Sequence, residues 1–376
     1  MHHLKVILLL IVSVLLSFDN HGYAQDVRTY DLEHVAEKYD LVSTDINCIF
    51  QDVRGFLWLG TKAGLSRFDG IDFSNFTFTQ GRSISEINVI VQDKRGVIWA
   101  GGSKGLYYYY QGQLSKVDQI SENITSLHID KDDQLLVGGL LFIPCALSPG
   151  QRKSMLEGQK VSIEPLVEAV EWKRIVQNSR VWNIFGYLHG DIWIGSDNQL
   201  LMLAQGRLEV YWEDHSQKVL VSEIVAINRD SIYWGSESTG LFFGTKNHFS
   251  QIITPATYIS HVTDTAFYFL SAMDLIRLDA GGIKSIYDFS DAQDLYFKDL
   301  LLDHEGNFWI ATEGDLLKLT PKIFDNWSVQ NYPLLTANFS IEELNDGKII
   351  IGSSKEKILS VEPEGFEIFD RISAPS

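Results

Sequence analysis

Ile46-Asn47-Cys48-Ile49-Phe50-Gln51-Asp52-Val53-Arg54-Gly55-Phe56-Leu57-Trp58-Leu59-Gly60-Thr61, with Gly64-Leu65-Ser66-Arg67-Phe68-Asp69-Gly70 close behind, decides the fold because it recurs. The frame returns as Ile87 to Gln92, Asp93-Lys94-Arg95-Gly96, Val97-Ile98-Trp99-Ala100-Gly101 and Gly105-Leu106-Tyr107. It comes back again as Leu300 to Leu302, Asp303-His304-Glu305-Gly306 and Asn307-Phe308-Trp309-Ile310-Ala311-Thr312. Weaker copies surround Leu136, Trp193, Tyr233-Trp234, Ala266 to Leu270 and Asp346 to Gly352. The spacing is about 40 residues, the period of four-stranded propeller blades, with an insertion of roughly 15 residues between Leu136 and Trp193.

Each unit reads as one blade. Ile46 to Gln51 is rich in β-formers and makes an inner strand. Asp52 and Gly55 stand at the first and fourth positions of a type I turn. Phe56 to Thr61 is apolar on both faces, as a strand packed between neighbouring blades must be, and its Trp supplies a large buried area. Gly64 to Phe68 gives a third strand, Asp69-Gly70 a tight hairpin, and Ile71 to Phe78 an outer strand. One blade cannot bury both of its faces, so the units must stack, and ring closure protects the edges. The expectation is an all-β propeller of four-stranded blades, seven or eight in number. Residues 25–330 form seven blades, and 331–376 are an eighth blade or the start of a second propeller.

The chain opens with His2, His3 and Lys5, an apolar run from Val6 to Leu16, and Gly22-Tyr23-Ala24. That order predicts a cleavable signal peptide over 1–24, with an apolar run too short to span a bilayer. The formal net charge of −18 disfavours nucleic acid and anionic lipid as partners of this region. Export leads to an oxidising compartment, yet only Cys48 and Cys145 are present. Cys48 takes the place of Val89 in the next copy, so core packing is the better reading than a disulfide.

Gln51-Asp52, Gly55 to Thr61 and Gly64 to Gly70, echoed at Gln92-Asp93 to Gly105 and Asp303 to Thr312, resemble the two-component regulator propeller repeat. Tyr39 to Asn47 is similar to that family's lead-in segment, with Asp40 where Gly is common. The resemblance implies a periplasmic sensor region of a membrane-bound regulator, responding to carbohydrate breakdown products. It implies an oligosaccharide ligand, and contact with the membrane and a homodimer only through parts beyond this chain. The output domain is absent from the sequence, which reads as the N-terminal part of a longer sensor or a truncated relative.

No residue presents itself as catalytic, cofactor-binding or metal-ligating. Asp52, Asp93, Asp130 and Asp303 recur at one repeat position, as turn formers do. The ten histidines show no HxH or HExxH spacing, and no GxSxG elbow or phosphate loop occurs. Alternate side chains of Tyr107 to Tyr110 are expected to face the two adjacent blades, although a tyrosine cluster would also stack on sugars. Trp182, Tyr187 and His189 read as core more readily than as a binding rim. The insertion from about Phe142 to Arg180, with Glu164 to Ile175 as a helix or strand pair, is the first candidate for a ligand or partner contact. Two other functions remain open from the sequence: a free-standing scaffold propeller, and a carbohydrate-active propeller enzyme using a carboxylate pair.

Overall fold

The repeat's alternation of β-rich runs and Asp-x-x-Gly turns folds into successive antiparallel sheets. The computed structural model describes residues 24–25 and 30–371, apart from 37, 80, 141–142, 177–179, 187–190, 215, 217, 227–231, 237–238, 247, 254–256, 263–265, 272, 280–281, 292–294, 323–337, 344–348, 354–356 and 363–364. The expected signal peptide over 1–24, apart from Ala24, and Phe142, Tyr187 and His189 therefore lie outside the described residues. The chain divides into two compact units, Met1–Pro321 and Lys322–Ser376.

Seven blades make up the first unit. Blade 1 runs through Ile46–Gln51, Leu57–Thr61, Gly64–Phe68 and Phe73–Phe76 from inner to outer strand. Blade 2 follows from Ile87 to Lys116, blade 3 from Ile124 to Leu147, blade 4 from Val181 to Glu213, blade 5 from Glu223 to Ile253 and blade 6 from Thr257 to Asp288. Blade 7 takes three strands from Phe297–Leu302, Phe308–Thr312 and Leu316–Pro321. Its fourth strand comes from the other end of the unit. Tyr30–His34 pairs antiparallel with it, Tyr30 opposite Pro321 and His34 opposite Leu317. The inner strands touch in sequence order, and Phe297–Leu302 meets Ile46–Gln51, which closes the ring. This is the expected seven-blade propeller. The copy at Ile349–Ser353 lies in the second unit, in a sheet with Asn338–Glu343, Lys357–Glu362 and Gly365–Arg371.

Among the described residues the core forms seven separate apolar clusters, one for each blade interface of the first unit. Trp58 packs toward blade 2 with Ile87, Ile90 and Tyr107, while Leu57 and Leu59 pack toward blade 7 with Trp309 and Leu316. A strand facing a neighbour on either side is buried along its whole length, which explains its continuous apolar run. Trp58, Trp99, Trp193 and Trp234 are each fully buried. The Gly of Trp-x-Gly is set by the approach of the next blade. A Cβ on Gly60 would lie 2.8 Å from Ile87, and one on Gly101 2.4 Å from Ile124. Gly55 meets a different demand, a φ of +90° in its turn.

Blade 3 departs from the pattern. It has three strands, the last only Cys145–Leu147, followed by helices α1 (Pro149–Leu156) and α2 (Ala169–Val176). Ser148 caps α1 in a capping box with Gln151. In the interface with blade 4, Leu136 holds the Trp position, and Val167, Trp172 and Val176 supply the missing bulk. The insertion thus stands in for an outer strand.

Closing the ring with Tyr30–His34 makes this short strand a stability determinant. Leu32→Ala is expected to cost about 2 kcal/mol. Starting the chain at Val35 should cost more than that, both read by urea unfolding.

Candidate functional site

The recurring aspartates come first, because carboxylates are the usual carriers of catalysis in a propeller. Asp52 is fully buried. Its Oδ1 accepts the backbone N–H groups of Arg54 (2.9 Å) and Phe56 (3.1 Å), and its Oδ2 accepts the Trp58 indole N–H at 3.0 Å. Asp93 does the same with Arg95, Val97 and Trp99, the indole bond being 3.1 Å. Asp303 repeats it with Glu305, Asn307 and Trp309, at 2.8 Å to the indole. Asp130 keeps the turn bonds to Asp132 and Gln134, but Leu136 offers no indole. The turn role was readable from the sequence, and the bond to the tryptophan six residues on was not.

The Gln before Asp52 and before Asp93 also has a structural task. Gln92 Oε1 accepts the Val53 N–H of the preceding blade at 2.9 Å, and Gln51 Oε1 accepts that of His304 at 2.9 Å. At the opposite face, the extra residue of the inner-strand bulge in blades 1 and 2 reaches toward the next blade. Asn47 donates to the Ile87 carbonyl (3.0 Å) and Asn88 to that of Ile124 (2.9 Å). These residues are joints between blades.

The remaining candidates divide. Tyr107 and Tyr109 face blade 1, Tyr108 packs toward blade 3, and Tyr110 is exposed. Trp182 sits at a bulge, half-buried, with its indole N–H on Asp197 Oδ1 at 2.7 Å. Cys48 and Cys145 are free thiols buried in different blade interfaces, and burial pushes Cys145 up to about 12, helped by Glu122. The insertion is anchored inward by Arg152 on α1, which is fully buried. Its Nη2 meets Asp133 at 2.8 Å, and its Nε lies 3.4 Å from Asp93 Oδ2.

In the ring's inner layer, Glu223 opens the inner strand of blade 5. Burial, and secondarily the Asp299 carboxylate of blade 7, push its carboxyl well above the ordinary value. Asp299 accepts the Ile49 N–H at 2.8 Å, so it is another joint between blades. Among the described residues no group of His, Cys, Asp and Glu is arranged to hold a metal ion.

A cavity of about 320 Å³ opens between blades 7 and 1, beside the Asp turns. Glu33 and Val35 of the closing segment, Tyr39, Leu57, Phe68, Asp69, Gly70, Glu305, Trp309 and Lys318 are among its lining residues. At the equivalent place between blades 1 and 2, Phe56, Phe76 and Tyr109 pack against the cluster around Trp58, and the Arg67 guanidinium covers Phe56 at 4.8 Å. Blade 7 has Asn307 at the position of Phe56. The Asn307 amide turns back to Asp303 Oδ2 (2.9 Å) and Glu305 Oε2 (3.4 Å), so no ring stands there as Phe56 does beside Trp58. Nothing in the sequence marks this place, because the position of Asn307 holds Phe56, Val97 and Gln134 in the other Asp-bearing copies.

The arrangement defines a seven-bladed propeller whose repeated polar residues build the ring. Residues 40–63 match the sequence model of the family described as two component regulator propeller, which bears out the resemblance. The fold is similar to the extracellular domain of BT3049 from B. thetaiotaomicron, described as a hybrid two component system (TM-score 0.62, 20% identity, 92% of this chain and 50% of that one). It is also similar to the extracellular domain of BT4673 from the same organism, described likewise (TM-score 0.59, 16% identity, 92% and 48%). Virginiamycin B lyase from Staphylococcus aureus shares the propeller at TM-score 0.58 and 12% identity, over 78% of this chain and 99% of that one. The chain spans about half the length of the first two. No curated protein sequence matches it.

Two outcomes follow from these joints. Asp93→Ala strips three N–H groups and leaves Arg152 buried beside the gap. It should cost about 3 kcal/mol or more in urea unfolding, exceeding Asp52→Ala, which strands no buried guanidinium. For Glu223, a folded-state value raised above the ordinary 4.5 means that its contribution to stability is present below that value. The contribution is lost as pH rises through the folded value. Glu223→Gln should therefore raise the melting temperature at pH 7.5 while changing it little at pH 4.5.

Proposed function

We propose that the chain is the ligand-sensing propeller of an exported, two-component-type signalling protein, responding to carbohydrate breakdown products and performing no catalysis of its own. The observation that supports this most is the family match at residues 40–63 on a ring whose recurrent carboxylates are consumed by turns and indoles. On this reading the protein works in the periplasm, binds an oligosaccharide, and reaches the membrane, an output domain and a dimer partner through regions beyond the chain. The likeness to domains described as extracellular parts of two component systems supports it at the level of fold.

A catalytic reading has two observations in its favour. A lyase propeller is matched over 99% of its own length, and Glu223 and Asp299 are close enough to interact in the inner layer. Against it, Asp299 is bonded to the backbone of the next blade.

Titration calorimetry of the purified mature chain with size-fractionated oligosaccharides from plant and host glycans, followed by chromatography of each mixture, separates the two. Saturable binding with the glycan recovered intact is expected. Cleavage at enzyme-like rates, or binding to no fraction, contradicts the proposal.

A further inference from the structure

The cavity between blades 7 and 1 is a break in the repeat that blade construction does not require. Beside Trp58, Phe56, Phe76 and Tyr109 pack against the interface, whereas blade 7 has Asn307 in place of Phe56 next to the cavity-lining Trp309. A cavity of about 320 Å³ is at the small end of the range for small-molecule sites. It therefore suits one monosaccharide-sized group rather than a long glycan.

The lining sets the charge of what enters. Asp303 is committed to its turn and to Trp309, which leaves Glu33, Asp69 and Glu305 as carboxylates around the opening. Glu33 is held by Lys38 at 2.7 Å, outside the cavity lining. Asp69 spends Oδ1 on the Ile71 and Asp72 N–H groups (2.9 Å each), and these hold it below its ordinary value and so ionised. Glu305 is met only by the Asn307 amide at 3.4 Å. Against them stands Lys318, whose ammonium lies 5.0 Å over the Trp309 ring and forms no ion pair with the three. The protein thus already places one ammonium against this wall. Aromatic rings beside carboxylates form a setting that favours such a cation.

The geometry points to the seam cavity as a binding site for a small primary amine, and, resting on the sensor reading above, for the ammonium-bearing ring of an amino sugar. The ammonium takes up Asp69 and Glu305, and the sugar ring lies toward Tyr39 and Phe68. Because Glu33 and Val35 belong to the segment that closes the ring, occupancy also favours the docked state of Tyr30–His34 by mass action.

Calorimetric titration of the mature chain with D-glucosamine, N-acetyl-D-glucosamine and D-glucose tests this. D-glucosamine should bind saturably, with the other two at least about tenfold weaker, the equivalent of one lost charge-assisted contact. Asp69→Asn with Glu305→Gln should weaken glucosamine by about tenfold or more, and Lys318→Met, removing the competing cation, should strengthen it. Both variants are surface changes, and unchanged melting temperatures establish their folding. Equal binding of all three sugars, or glucosamine binding that ignores the Asp69 and Glu305 changes, overturns the amine assignment and leaves the carbohydrate reading standing. Failure of every sugar, here and among the oligosaccharide fractions, overturns both.

Discussion

A hydrogen bond from a buried indole to a buried turn carboxylate is the joint on which each strong blade is built. The Asp side chain gathers two turn N–H groups on one oxygen and the indole N–H of the second strand on the other. Burying a carboxylate without such partners is costly, so the three donors are what make its position tenable. In return the tryptophan is fixed in one orientation, with its ring filling the interface to the next blade. Where the Asp is missing, the tryptophan persists without its bond. Trp193 has Tyr187 six residues before it, and its indole nitrogen finds no hydrogen-bond partner.

From that joint the ring follows. Gln51 and Gln92 tie each turn to the one before it, and Asn47 and Asn88 tie the opposite ends to the blade after. Residues that look like a catalytic inventory along the sequence are therefore donors and acceptors in a lattice of joints. Two places escape the lattice. In blade 3 a pair of helices substitutes for a strand and is anchored by a buried arginine between two turn aspartates. Between blades 7 and 1 the lattice leaves a cavity. The insertion, first candidate from sequence, turned out to contribute core, with Trp172 and Met155 buried in blade interfaces.

The blade was legible because its rules are local. Asp52 and Gly55 mark a turn within four residues, and the Trp58-x-Gly60 strand declares burial on both faces. The alternation of Tyr107 to Tyr109 between neighbouring blades was likewise readable from strand periodicity. What failed to show was non-local. Tyr30–His34 carries no mark that its partner strand lies at the far end of the unit's sequence, with His34 on Asp315 at 2.5 Å. The cavity is no more legible, because Asn307, just ahead of the Phe308–Thr312 strand, is one ordinary polar residue, and only the packing around Trp58 and Trp309 sets the two interfaces apart.

Hydrogen exchange at the tryptophan indoles, followed by nitrogen-15 NMR on the mature chain, probes the joint directly. Trp58, Trp99 and Trp309 should exchange only with global unfolding, and replacing Asp52 by Asn should release Trp58 while leaving Trp99 protected. Exchange of all three indoles at the rate of a solvent-exposed tryptophan would contradict the account.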